Sequence, residues 1–212
     1  MSEKPILFSG EMVRAILDGR KTMTRRVAKP QPVQVGDNLF DWDKGKVGVT
    51  FDKTWWDAKG KSPLTEHAPY QVGQRLWVRE TWYYDSHMHE LTDGEPDAPD
   101  GRYLHRLVYR ATSPDWQVYG GWKPSIFMPR WACRLELEVT AVRVERLQDI
   151  SEEDAIAEGF VAKDVRIAPH MTRAYHARDG FVALWDSLNE KRGYGWAQNP
   201  WVWVVEFEKA QS

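Results

Sequence analysis

A short apolar run, Pro5-Ile6-Leu7-Phe8, reads as a buried strand. Ser9 is a good helix cap, and Met12, Val13, Ile16 and Leu17 then recur on one face at helical spacing. Gly19 is placed to end that helix in a left-handed conformation. From Gln74 to Trp82 the chain alternates cleanly, with Leu76, Val78, Glu80 and Trp82 on one face and Arg75, Trp77, Arg79 and Thr81 on the other. Tyr103 to Ala111 predicts a returning strand. Ser125 to Leu147 is the longest β-like stretch. Its apolar phase runs through Leu135, Leu137, Val139 and Ala141, then jumps to Val142 and Val144, which predicts a bulge or bend. Ser151 caps a short acidic-started helix with Ala155 and Ile156 facing inward, and Gly159 ends it. Phe181, Val182, Leu184, Trp185 and Leu188 predict a second helix of three turns, closed by Gly193 and Gly195. Pro200 introduces a last strand, with Trp201, Trp203, Val205 and Phe207 on one face and Glu206 and Glu208 on a solvent face.

Between these elements the signal weakens. Residues 28–72 read as an irregular insertion in which Val47 to Phe51 is a hairpin strand. Residues 85–101 read as an acidic loop, 112–124 as turns, and 161–177 as a basic, histidine-containing loop. The order predicts one α+β domain over 1–212, a small mixed or antiparallel barrel flanked by helices, with loop-rich insertions at about 28–72 and 83–124.

Composition refines this picture only in places. At 212 residues, 42% hydrophobic and 28% charged, the chain can bury a real core. No apolar run approaches membrane-helix length, and the N-terminus lacks a signal-peptide layout. Cys133 is the only cysteine, so no internal disulfide forms, and a cytoplasmic location is expected. A net charge of −2 argues against a broad electrostatic grip on nucleic acid but not against a local basic cleft. Twelve tryptophans exceed what is usual; they serve as core, or some as stacking platforms for a base.

Three places carry candidate chemistry. Arg20-Lys21-Thr22-Met23-Thr24-Arg25-Arg26 gathers a lysine, hydroxyls and arginines directly after the first helix; a run of this kind alone reads as a solvated turn. Lys21 and Thr24 converge if the chain turns there, and face opposite ways if it runs as a strand. Glu80 stands in line with apolar residues, so it is paired with an arginine or shifted in pKa. Glu158 sits in the last turn of its helix, where the dipole disfavours a negative charge, four residues after Asp154. It is either an exposed surface glutamate or a carboxylate kept for chemistry. His87 and His89 have metal-ligand spacing without a third ligand, so no metal or other cofactor is expected.

Four segments in order resemble the ASCH domain, a PUA-like fold: Ile16 to Arg26, Val72 to Trp82, Pro124 to Trp131 with the long strand, and Leu147 to Gly159 with the last strand. They cover about two thirds of the chain, and the longer layout resembles versions from phages and prophages. The resemblance implies a PUA-like barrel. A small bacterial member is an amidohydrolase acting on 4-acetylcytidine through a lysine, a threonine and a glutamate. The Gly-Arg-Lys-Thr-x-Thr motif carries these roles to Lys21 and Thr24. Alignment carries the carboxylate to Glu158, with Glu153 the nearby alternative. The two insertions have no counterpart in the small enzyme.

Three functions follow as expectations. The first is a metal-independent hydrolase of an acylated nucleoside, with Thr24 as nucleophile and Lys21 as base. Arg20, Arg25 and Arg26 would depress the lysine pKa, and Glu158 would orient or move the proton. Arg26, Trp77, Arg79, Glu80 and Trp82 are the candidate substrate-binding residues, the aromatics by stacking on the pyrimidine. The second is a non-catalytic module binding RNA or a modified base. The third is a ribonuclease, which no histidine in a family motif supports. The expected partner is a modified nucleoside or RNA, with no membrane. Lys21→Ala and Thr24→Ala are expected to stop turnover without unfolding the chain.

Overall fold

The computed structural model describes residues 3–35, 39–42, 46–51, 54–57, 68–84, 107–115, 117–118, 120–168 and 171–210. His87 and His89 lie outside them. In chain order the strands are β1 (Lys4–Leu7), β2 (Met23–Val27), β3 (Val33–Gln34), β4 (Leu39–Trp42), β5 (Lys46–Phe51), β6 (Thr54–Asp57) and β7 (Arg75–Arg79). There follow β8 (Trp82–Tyr84), β9 (Leu107–Tyr109), β10 (Glu136–Arg146), β11 (Lys163–Ala168), β12 (Met171–Tyr175) and β13 (Trp201–Lys209). The helices are α1 (Gly10–Leu17), α2 (Glu152–Ala157) and α3 (Ala177–Asn189). The chain is an α+β protein with parallel and antiparallel pairing, as its pattern predicts. None of its described helices is long and apolar enough to cross a membrane.

Two compact units emerge. The first holds residues 1–18, 75–137 and 209–212, the second 19–74 and 138–208.

In the first unit β1 pairs parallel with β7, with Ile6 opposite Val78, and β7 neighbours the start of β10. Ser9 caps α1 by accepting from the Met12 N–H, and Val13, Ala15 and Ile16 are buried. Leu76 and Val78 are buried on one side of β7, as the alternation predicts. The stretch from Ser125 is not strand. Pro124 and Pro129 each precede a short 3-10 turn, Ser125–Phe127 and Arg130–Ala132, because proline presets φ for a turn and cannot donate to a ladder. Met128 and Ala132 from these turns pack with Trp82.

In the second unit the sheet order is β10-β13-β2, and β2 forms its edge. β13 runs antiparallel to β2, with Val205 opposite Thr24 and Val204 opposite Arg25. The predicted one-sided β13 is corrected: Val202, Trp203, Val204, Val205 and Phe207 are all buried. Val202 and Val204 pack with Met23, Leu147, Ala155, Phe181 and Trp185, while Trp203 packs with Ala28, Ala68 and Val144. Ile156, expected inside, is exposed. The phase jump in β10 is real in burial: Leu137 and Val139 are buried before it and Val144 after it. Residues 28–72 hold a four-stranded antiparallel sheet, β3-β4-β5-β6, in place of the irregular insertion that the sequence predicts beyond the Val47–Phe51 strand. The expected loop at 161–177 contains the β11–β12 hairpin. Local apolar signals in both are too short to reveal strands that form chiefly through each other.

Candidate functional site

The second unit assembles its site around the end of α2. Ser151 caps the start of this helix by accepting from the Asp154 N–H, and Glu158 is its C-terminal cap residue. A helix end leaves carbonyls without partners. Here three consecutive residues of the basic stretch satisfy three consecutive carbonyls. Thr22 N–H donates to Ala157 O at 2.8 Å, Lys21 Nζ to Glu158 O at 2.8 Å, and an Arg20 guanidinium nitrogen to Gly159 O at 3.0 Å. Gly159, at φ +99°, supplies the left-handed turn that lets the chain leave. Positive charge at a helix C-terminus is favoured by the dipole.

Lys21 is 2% exposed and Glu158 4%. Lys21 Nζ donates to Glu158 Oε2 at 2.6 Å and to the Met23 carbonyl at 2.7 Å. The reason lies in the edge strand. Thr22 O accepts from Phe207 N–H and Ala28 N–H donates to Trp201 O, so the even positions of this segment bond β13. Antiparallel alternation then turns the Met23 carbonyl outward, where it needs a donor. Lys21 supplies one, at the peptide that joins Met23 to Thr24. Residues 23–27 thus run as a strand, and Lys21 reaches round its edge. Thr24 is buried on the strand side opposite Met23 and Arg25.

Burial lowers the Lys21 pKa, Glu158 opposes that shift by charge and hydrogen bond, and Arg26 and Arg25 add to the lowering. The chemistry agrees: an ammonium with three good acceptors is stable, yet a buried one beside two guanidiniums loses its proton more readily than a lysine in water. Arg26 is half-buried; burial also raises the Tyr70 pKa, and Arg26 opposes that shift by its charge.

Glu158 Oε1 is different from Oε2. It is buried and accepts no hydrogen bond among the described residues, with Arg25 Nη1 at 3.6 Å. Arg25 is itself buried and is held at 2.5 Å by both Glu145 and Asp154. Arg143 joins the network through Glu145 at 3.2 Å, Asp154 at 3.2 Å and Glu206. Sequence reasoning misses Arg143, Glu145, Asp154 and Glu206 as members of one network. Arg143 and Glu145 alternate with Val142 and Val144, which reads as a solvent face, and Glu206 reads as solvent-facing outright. Glu153, the alternative carboxylate, has a lowered pKa from backbone and Ser151 hydrogen bonds at the start of α2, and it makes no ion pair with Lys21.

The other expected binding residues belong to the first unit. Trp77 is half-buried with the Arg79 guanidinium 5.3 Å from its ring, and Arg79 donates to the Ile126 carbonyl. Glu80 is buried, and Arg134 grips both its oxygens at 2.9 and 3.0 Å, so of the two outcomes its apolar position leaves open the structure has the arginine pairing. Trp82 is a core residue, edge-on to Trp131, with Lys123 Nζ 5.0 Å from its ring.

No family model matches the chain, and no curated protein matches it. Among solved structures, it is similar to an ASCH domain from Lactobacillus crispatus JV V101 at 11% identity and a TM-score of 0.39, over 98% of this chain and 79% of that one.

Proposed function

We propose that the second unit carries a metal-independent hydrolase site for an acylated nucleoside amide of the 4-acetylcytidine type. Thr24 is the nucleophile, Lys21 the base and Glu158 the carboxylate that trades a proton with the lysine. The observation that carries this reading is the buried 2.6 Å Lys21–Glu158 pair, whose lysine also grips the peptide of Thr24. Lys21 passes a proton to Glu158 and becomes neutral. The Thr24 hydroxyl, which lies on the other side of the strand from the lysine, gives its proton to neutral Lys21 through a bridging water as its oxygen attacks the acyl carbon. The C–N bond breaks as the leaving nitrogen takes a proton from the pair, and water then hydrolyses the threonine ester.

The test is incubation of purified protein and chelator with 4-acetylcytidine, following cytidine release. Release by the wild type and none by Thr24→Ala is the expected result. A folded wild type that releases nothing, or a Thr24→Ala variant at wild-type rate, overturns the reading.

One observation favours a second reading, a non-catalytic binding module. Arg20, Lys21 and Thr22 already serve the end of α2, a structural task that accounts for the buried lysine without chemistry. In that case wild type and Thr24→Ala bind the same nucleoside equally, and neither converts it.

A further inference from the structure

Among the charges gathered at the edge strand of the second unit, two buried neighbours of opposite sign do not bond. Glu158 Oε1 accepts no hydrogen bond among the described residues. Arg25 Nη1 stands 3.6 Å from it, beyond bonding reach. That nitrogen donates instead to Met23 Sδ at 3.3 Å, and a thioether is a weak acceptor. Arg25 Nε is also buried without a hydrogen bond among the described residues. An anion and a cation, each with bonding capacity left, are thus held just apart.

The other end of the guanidinium keeps them apart. Arg25 Nη2 donates to Glu145 on β10 and to Asp154 on α2, each at 2.5 Å. Arg143 closes the ring of charges, with Nε donating to Glu145 Oε2 at 3.2 Å and Nη2 to Asp154 Oδ2 at 3.2 Å. Arg143 is fixed in turn by Glu206 on β13. A guanidinium is planar and rigid, so the hold on Nη2 also fixes where Nη1 points. Two charge-assisted hydrogen bonds there outweigh the one that Oε1 offers. The consequence falls on Glu158. A hydrogen bond from Arg25 to Oε1 would favour the charged carboxylate. With Lys21 on Oε2, both oxygens of Glu158 would then be gripped, as Arg134 grips both of Glu80, and the group would not take up a proton.

We propose that Glu145 and Asp154 are positioning residues that restrain Arg25, so that Glu158 keeps one oxygen out of its grip and can receive the Lys21 proton. The proposal rests on the hydrolase reading of the Lys21–Glu158 pair. Both acids act through Arg25 rather than on the substrate. Removing either one lets the guanidinium swing onto Oε1 and fixes Glu158 as an anion. Removing Arg25 as well lifts that block. A network that only supports the fold has the opposite consequence, since each further loss makes the site worse.

The experiment is steady-state turnover of 4-acetylcytidine by folded wild type, Asp154→Asn and Asp154→Asn/Arg25→Met. Asp154→Asn is expected to lower kcat by about tenfold or more with KM within about twofold, and the double variant to be at least about threefold faster than Asp154→Asn. Glu145→Gln, which leaves the start of α2 intact, is expected to act in the same direction and to be relieved in the same way. A double variant no faster than Asp154→Asn, or both single variants at the wild-type rate, overturns the proposal. A second measurement needs no turnover. In denaturant unfolding, the midpoint shifts of Arg25→Met and Glu158→Gln are expected to depart from additivity more in the Asp154→Asn background than in wild type, because Arg25 and Glu158 bond only there. An equal departure in both backgrounds overturns the restraint on Arg25 while leaving any wild-type turnover standing. A wild type that leaves 4-acetylcytidine intact overturns the hydrolase reading and the proton role with it, even where the unfolding result shows the restraint, so the two readings fail separately.

Discussion

Two buried carboxylates, one in each unit, are handled in opposite ways. Glu80 sits among apolar residues of the first unit, and Arg134 binds both of its oxygens in a fork. Nothing of that carboxylate is left over. Glu158 in the second unit spends one oxygen on Lys21 and leaves the other without a hydrogen bond among the described residues, near an arginine that two other acids already hold. An arginine partner cannot give up its proton at accessible pH, whereas a buried lysine can. The difference teaches that burial alone does not mark a functional carboxylate. On the proposed reading, what sets Glu158 apart is a partner able to exchange a proton, together with an oxygen that accepts no hydrogen bond among the described residues.

The sharpest way to break this contrast is to change each pair and read turnover. Lys21→Met and Glu158→Gln are expected to lower the rate of cytidine release by about 10²–10⁴, and Glu158→Gln to preserve binding. Glu80→Gln is expected to leave the rate unchanged. A loss at Glu80 with none at Glu158 would move the carboxylate role to the first unit.

Next in size is stability. Removing Arg134 as Arg134→Met leaves Glu80 buried and unpaired, at an expected cost of about 3–5 kcal/mol in denaturant unfolding. Lys21→Met strands Glu158 and costs about as much, so the expectation that Lys21 can be replaced without harm to the fold does not survive its burial. Turnover of that variant has to be read on material shown to be folded. An Arg134→Met protein as stable as wild type would mean that Glu80 takes up a proton or finds other partners.

A smaller effect separates the pairs by pH. The Lys21 pKa is lowered from 10.5, with burial as the largest cause. Between that lowered value and 10.5 the unfolded chain binds more protons than the folded one, so stability rises with pH across the window. Wild type is therefore expected to gain stability relative to Lys21→Met as pH rises towards 10.5, and turnover to climb on a limb below the ordinary lysine range. A flat difference between the two proteins would contradict the lowered pKa. The smallest effect belongs to Arg178: Arg178→Gln is expected to change unfolding stability by no more than about 0.5 kcal/mol, since its guanidinium is exposed and makes no ion pair among the described residues.

Much of this is legible in the amino-acid sequence alone. The amphipathic α1 and α3, the alternating β7, the Ser caps and the glycine ends follow from spacings within a few residues. Glu80 and Glu158 stand out because each breaks a local rule, one an apolar face and the other the helix dipole. Errors come where a local pattern has two physical solutions. The apolar run after Pro124 fits a strand, yet its prolines impose 3-10 turns. β13 shows an apolar face and a mixed one, and both are buried because α2 and α3 cover the face expected to meet solvent.

By itself, then, the chain determined its helices, its edge-to-core alternation and the identity of its anomalous charges, since these depend on contacts a few bonds or one turn away. Only the tertiary structure decided who answers those charges. Arg134 lies 54 residues from Glu80, and Glu158 lies 137 from Lys21. Arg25 meets Glu145 and Asp154 only because β10 and α2 converge on the edge strand. Coulomb energy and desolvation depend on distance in space and on burial, and no periodicity along a sequence encodes either of them.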